Sequence, residues 1–172
     1  MFHSPRTLRR SSAAAIIATI ALTASFVIAG ASTINAQSNN KGLVGSWLET
    51  VTFPPELGWP QVKSLVSYHH DGTMVASDQG GVTAEPPTVY SSGHGVWKHL
   101  NQRTSAYSVL YMLSDLSGNL TGYLKVRGVF SVSQSGNEYD GTSFAELLDA
   151  DSKVLFSVEV TNTAQRIKLE LP

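Results

Sequence analysis

The chain has 172 residues, twelve basic and thirteen acidic side chains, and no cysteine, which excludes thiol catalysis, thiolate zinc sites and cysteine-linked lipid. Three of the basic residues, Arg6, Arg9 and Arg10, lie at the N-terminus, so residues 37–172 carry nine basic against thirteen acidic groups, net −4. With no run of like charge, nucleic acid and anionic membrane surfaces are poor partners, since both need clustered Lys and Arg.

Residues 1–36 read as a helical signal peptide. The three arginines form a basic start, Ala13 to Ala31 is an uncharged apolar run, and Ile34-Asn35-Ala36 is a small-residue exit, with Ala29-Gly30-Ala31 as the alternative cleavage site. An uncleaved anchor competes, but Ala, Thr and Ser dilute a run that barely reaches membrane length. The expected destination is the periplasm or the exterior, with no membrane attachment after cleavage. Residues 37–172 then suit one domain.

In that domain short alternating segments follow one another, separated by Gly, Asn and Asp turns. After a polar tail, strand one is predicted over Leu43–Phe53, with Trp47, Glu49, Val51 and Phe53 on one face, and Pro54-Pro55 ends it. A loop through Trp59 leads to strand two, Val62–His69, and Asp71-Gly72 signals a two-residue hairpin into strand three, Thr73–Ser77. The stretch Asp78–Gly93, punctuated by Gly80-Gly81 and Pro86-Pro87, is expected to lack regular structure and to form a rim loop or lid.

Strands four to six are predicted over His94–Leu100, Ser105–Leu113 and Leu120–Ser133; in the last, Leu124, Val126, Phe130 and Val132 share one face and Tyr123, Lys125 and Arg127 the other. Gly122 and Gly128 on the apolar face mark candidate bends or bulges. Strands seven and eight fall over Glu138–Leu148 and Lys153–Thr161, followed by a strand-like stub, Gln165–Leu171. The count fits an all-β, eight-stranded antiparallel up-and-down barrel, with a two-sheet sandwich as competitor. Closure favours the barrel because it leaves no edge strand exposed.

Three segments carry a family resemblance. Gly45-Ser46-Trp47 resembles the G-x-W signature on the first strand of lipocalins and the wider calycins. The stretch Leu65 to Thr73, with His69-His70-Asp71-Gly72, and the stretch Ser92 to Trp97 resemble small exported lipocalin-like bacterial proteins. The resemblance implies an eight-stranded barrel holding a small, mostly apolar molecule. Lipocalins also carry a C-terminal helix, which is not legible here, and an arginine stacked on the first-strand Trp, a place Arg166 matches by position.

A barrel has an interior, and the candidate site is built from residues with inward parity. Trp47 is either a plug closing one end or a floor under a ligand; a small barrel has an end to fill, which favours the plug. Glu49 shares its parity, so its carboxylate would be desolvated and its pKa raised, suiting it to act as a general base or to bind an amine or hydroxyl. Arg127 or Arg166 are its candidate neutralising partners. His99, in phase with Trp97, would be a second titratable group. Tyr107 and Tyr111 share a face with Val109 and Leu113, an apolar wall with phenol handles.

Candidate ligand contacts are therefore Trp47, Tyr68, Trp97, Tyr107 and Tyr111, and candidate catalytic residues, if there is a reaction, Glu49 and His99. His94, between two glycines, could gate access; His69-His70-Asp71 reads as a polar turn, not a metal site. No cofactor motif occurs. The leading expectation is a binding module for a small hydrophobic or amphipathic molecule. Its alternatives are an isomerase or cyclase like the allene oxide cyclases of the wider superfamily, and a structural protein with a filled core.

Overall fold

The computed structural model describes residues 42–79 and 87–170; the leader and residues 80–86 of the expected lid therefore lie outside the described residues. Nine strands form one antiparallel sheet: β1 Gly45–Thr52, β2 Val62–Tyr68, β3 Thr73–Asp78, β4 Val89–Tyr90, β5 Gly93–His99, β6 Thr104–Ser114, β7 Leu120–Val132, β8 Glu138–Asp149 and β9 Val154–Arg166. Eight of them run in sequence order and close when β1 pairs with β9, Trp47 opposite Arg166 and Thr52 opposite Thr161. The molecule is a closed up-and-down barrel and not a sandwich. The two-residue β4 pairs with the end of β6 beyond the reach of β5.

Alternation sets which face is dry. Trp47 and Glu49 of β1, Ser64, Val66 and Tyr68 of β2, Met74 and Ala76 of β3, and Val109, Tyr111 and Leu113 of β6 are buried while their neighbours in sequence are more exposed. These residues point into the barrel, as period-two geometry requires. The outward face keeps scattered apolar side chains such as Leu48, Leu65 and Met112 beside Lys63 and Lys98.

Four local readings need correction. The β2–β3 connection is a three-residue loop: His69 N–H donates to Thr73 O, Gly72 N–H donates to His69 O, and Gly72 has φ +83°. That is a turn closed by a left-handed glycine bulge, which Asp71 reinforces by accepting from the Thr73 amide and hydroxyl. The loop after Pro54 contains one 3-10 turn, Pro55–Leu57. The stretch expected to lack structure contributes β4. The C-terminal stub is no separate element, because Gln165 and Arg166 continue β9 opposite Glu138 and Trp47.

Of the two glycines on the apolar face of β7, Gly122 adjoins the irregular pairing at Leu113 and Ser114. Gly128 has another use. A Cβ there would lie 2.5 Å from the Tyr107 ring, so only glycine lets that ring lie flat across β7.

One end of the barrel is sealed. Trp47 is fully buried, donates from Nε1 to Leu43 O at 2.8 Å, and lies 4.9 Å from the Tyr139 ring. The guanidinium carbon of Arg166 sits 4.2 Å above the indole. Arg166 donates from Nε to Gly136 O, from one terminal nitrogen to Val44 O, both at 2.7 Å, and from the other to Gly42 O. Tyr68, Trp97, Phe130 and Tyr139 fill the space beneath in tilted, edge-on and stacked contacts. A planar fork that both stacks and reaches three carbonyls is particular to arginine. Arg166→Lys is therefore expected to cost about 2 kcal/mol of stability, checked by urea unfolding.

Candidate functional site

The sealed half grades into a polar belt across the middle of the lumen. Glu49 is 6 % exposed and faces inward from β1. A chain of hydrogen bonds runs to it across four strands. The Tyr107 hydroxyl donates to Ser143 Oγ at 2.7 Å, Ser143 Oγ donates to Asn162 Oδ1 at 2.5 Å, and Asn162 Nδ2 donates to Glu49 Oε1 at 2.8 Å. Because Ser143 spends its single proton on Asn162, Tyr107 must be the donor to Ser143.

Across the lumen, Asp78 Oδ1 accepts from Ser64 Oγ at 2.5 Å and from the Tyr111 hydroxyl at 3.2 Å. Ser64 is the register partner of both Glu49 and Asp78, so the two carboxylates flank one serine on successive strands. Two strand spacings, roughly 10 Å, separate their backbones.

Burial governs the electrostatics. It pushes the Glu49 carboxyl up to about 7, against the lowering effects of Asn162 and of the Tyr139 hydroxyl, and the charge of Asp78 adds to the rise. Burial raises Asp78 as well, while Ser64 and Tyr111 pull it down. Tyr107 and Tyr111 are held above the ordinary phenol range by burial and by the facing carboxylates, so they remain donors. Neither arginine considered for Glu49 serves it: Arg127 pairs with Glu146 at 3.0 Å on the outer face, and Arg166 caps Trp47.

The other end differs. Val51, Val62, Leu124, Val126, Leu147 and Val158 share the inward parity, yet each is only partly buried. Ala145, small and partly buried, lies between Val126 and Val158 in register. Phe53, Trp59 and Phe156 form an aromatic cluster at that rim, with ring centroids 5.1 and 5.6 Å apart. β3 ends and β4 begins at the same end.

The candidate residues thus separate. Tyr107 and Tyr111 reach the belt, with Glu49 at one end of their network and Asp78 in the other. Tyr68 bridges belt and plug, lying near Glu49 and 6.0 Å from Trp97. Trp47 and Trp97 belong to the plug, and Trp97 donates to His69 O at 3.0 Å. His99 keeps its phase with Trp97, 4.9 Å away, but lies exposed at the sealed rim, Nδ1 beside Ser105 Oγ at 3.0 Å, and is not brought to Glu49. His94 points outward.

Asn162, Ser143, Ser64 and Asp78 were not foreseen. Parity with Ala164, Tyr139, Val66 and Ala76 was the signal available for each. A wide shallow depression lined by Ala106, Arg127, Val129 and Phe144 also reaches Tyr107 and Ser143 of the belt beside Gly128. No family model, no curated protein and no solved structure matches the chain.

Proposed function

We propose that this is an exported, lipocalin-like binding protein that takes a small amphipathic molecule into the barrel through the unsealed end. The observation that carries the reading is the asymmetry of the lumen. One half is filled by aromatic side chains and capped by Arg166, whereas the other presents a ring of inward apolar side chains that water still reaches. Inward apolar surface that water still reaches, above a few buried polar groups, is the chemistry of a ligand pocket. The Gly-Ser-Trp start with Arg166 stacked on Trp47 supports the lipocalin-like part, and the basic and apolar leader supports export.

The isomerase or cyclase alternative keeps one supporting observation, a buried carboxyl whose pKa of about 7 suits a general base. It loses the assistance of His99, which lies at the far rim.

Titration with a neutral fluorescent hydrophobe such as N-phenyl-1-naphthylamine tests the binding reading. Saturable one-to-one uptake is expected, and Ala145→Trp, which places an indole between Val126 and Val158, is expected to weaken it at least about tenfold with the circular dichroism spectrum unchanged. An absence of uptake, or uptake indifferent to Ala145→Trp, would overturn it.

A further inference from the structure

The polar belt is chemically one-sided. Among the described residues both carboxylates that face the lumen have only neutral partners: Asn162 for Glu49, and Ser64 and Tyr111 for Asp78. Lys63, the basic residue closest in sequence to Ser64, points outward and donates to Thr50 Oγ1 at 2.6 Å. Arg127 and Arg166 are engaged elsewhere. Two desolvated carboxyl groups without a cation are costly, and the arrangement is relieved either by a proton or by a positive charge brought in from outside.

A second observation points the same way. The hydroxyl of Tyr139, a residue 2 % exposed, is the buried side-chain polar atom among the described residues that has no hydrogen-bond partner. It stands close enough to Glu49 to help lower that carboxyl and close to Tyr68, yet it meets hydrogen-bond geometry with neither. A buried hydroxyl left unpaired beside a carboxylate is unusual in a folded protein and fits a group supplied by a ligand.

We propose that the lumen selects amphiphiles bearing a protonated amine, with Glu49, Asp78 and the Tyr139 hydroxyl receiving the ammonium head and the apolar, unsealed half holding the tail. The inference rests on the lumen-binding reading and specifies its ligand. An ammonium has three donors and no acceptor, matching two carboxylates and a phenol oxygen. Tyr68, Tyr107 and Tyr111 add aromatic surface that favours a cation. A carboxylate head would meet two like charges, and an alcohol would leave both uncompensated.

Proton exchange accompanies binding. The titratable groups facing Glu49 are Tyr68 from β2, Asp78 from β3, Tyr107 and Tyr111 from β6, and Tyr139 from β8; the phenols are all raised and stay neutral, which leaves Asp78 as the other carboxyl whose charge bears on Glu49. The empty lumen holds part of a proton near pH 7 on Glu49, and an arriving ammonium displaces it.

The test is calorimetric titration of the full barrel with dodecylammonium, dodecanol and dodecanoate below their micellar concentrations at pH 8. Dodecylammonium is expected to bind at least about tenfold more tightly than dodecanol, with dodecanoate weakest. Glu49→Gln and Asp78→Asn should each shrink that advantage, and Ala145→Trp should remove binding of all three, which separates the lumen from adsorption outside. Titration of the unaltered protein at pH 7 in buffers of different ionisation enthalpy should show net proton release with dodecylammonium and none with dodecanol. Equal or tighter binding of dodecanol or dodecanoate overturns the amine assignment while leaving lumen binding intact, as does an ammonium advantage untouched in both carboxylate variants. Failure of all three amphiphiles overturns both readings.

Discussion

Trp47→Ala is expected to lower the free energy of unfolding by about 4 kcal/mol, measured by urea denaturation, because it removes the one side chain on which the sealed end converges. The indole is completely buried, so truncation leaves a cavity roofed by Tyr139 and Arg166. The carbonyl of Leu43 loses its donor, and Arg166 loses the face it stacks on while remaining tied to three backbone carbonyls, which hold it over the void instead of letting it fill the space. A domain of this size has only about 5–15 kcal/mol of net stability, so the variant should sit close to unfolding at growth temperature. Trp59 provides the contrast: 49 % exposed at the opposite rim, it touches Phe53 and Phe156 but seals nothing, and its replacement by Ala should cost no more than about 1 kcal/mol. Equal losses at the two tryptophans would mean that the plug does not organise the barrel.

How much of this was legible follows from what period two can and cannot encode. Alternation in Leu120–Val132 fixes which residues face inward, and β7 pairs without a break from Gly122 to Val132, with the burial contrast clearest from Val126 onward. It also orients Glu49 correctly, because Trp47 is too large to belong anywhere but the interior. Parity gives the face of a residue and not its depth along the barrel axis. His99 shows the difference: it shares the phase of Trp97 but falls at the strand end, where the lumen has already closed.

The polar belt escaped for a related reason. Asn162, Ser143 and Ser64 interrupt the apolar alternation at the very positions where the interior is polar, so they read as breaks or outward residues. The same interruption hid the last turns of β9, where Thr161, Asn162 and Thr163 stand together. Asp78 looked like the start of a loop because a carboxylate rarely ends an inward face. Local sequence conflict of this kind is expected where a fold yields stability to a site.

Glu49→Gln measures that concession. In the folded barrel the carboxyl keeps its proton up to about pH 7, whereas the unexposed cost is absent from the unfolded chain, where it titrates near 4.5. The folded state therefore binds more protons between those values, so the stability associated with this group is highest below pH 4.5, falls as pH rises through the window, and is level above 7. The shift corresponds to about 3 kcal/mol. A neutral glutamine can still accept from Asn162 Nδ2 and has no charge to desolvate. The variant is thus expected to be more stable than the parent by up to about 3 kcal/mol at pH 8 and nearly equal to it at pH 4, in thermal or urea unfolding without ligand. Asp78, raised in the same direction, leaves its own fall in both proteins, and the turn carboxylates Asp71 and Asp115, lowered by hydrogen bonds from Thr73 and Asn119, act equally in both; the difference between the two proteins isolates Glu49. A variant less stable than the parent at pH 8 would mean that Glu49 strengthens the fold, and the carboxylate would then need no ligand to explain it.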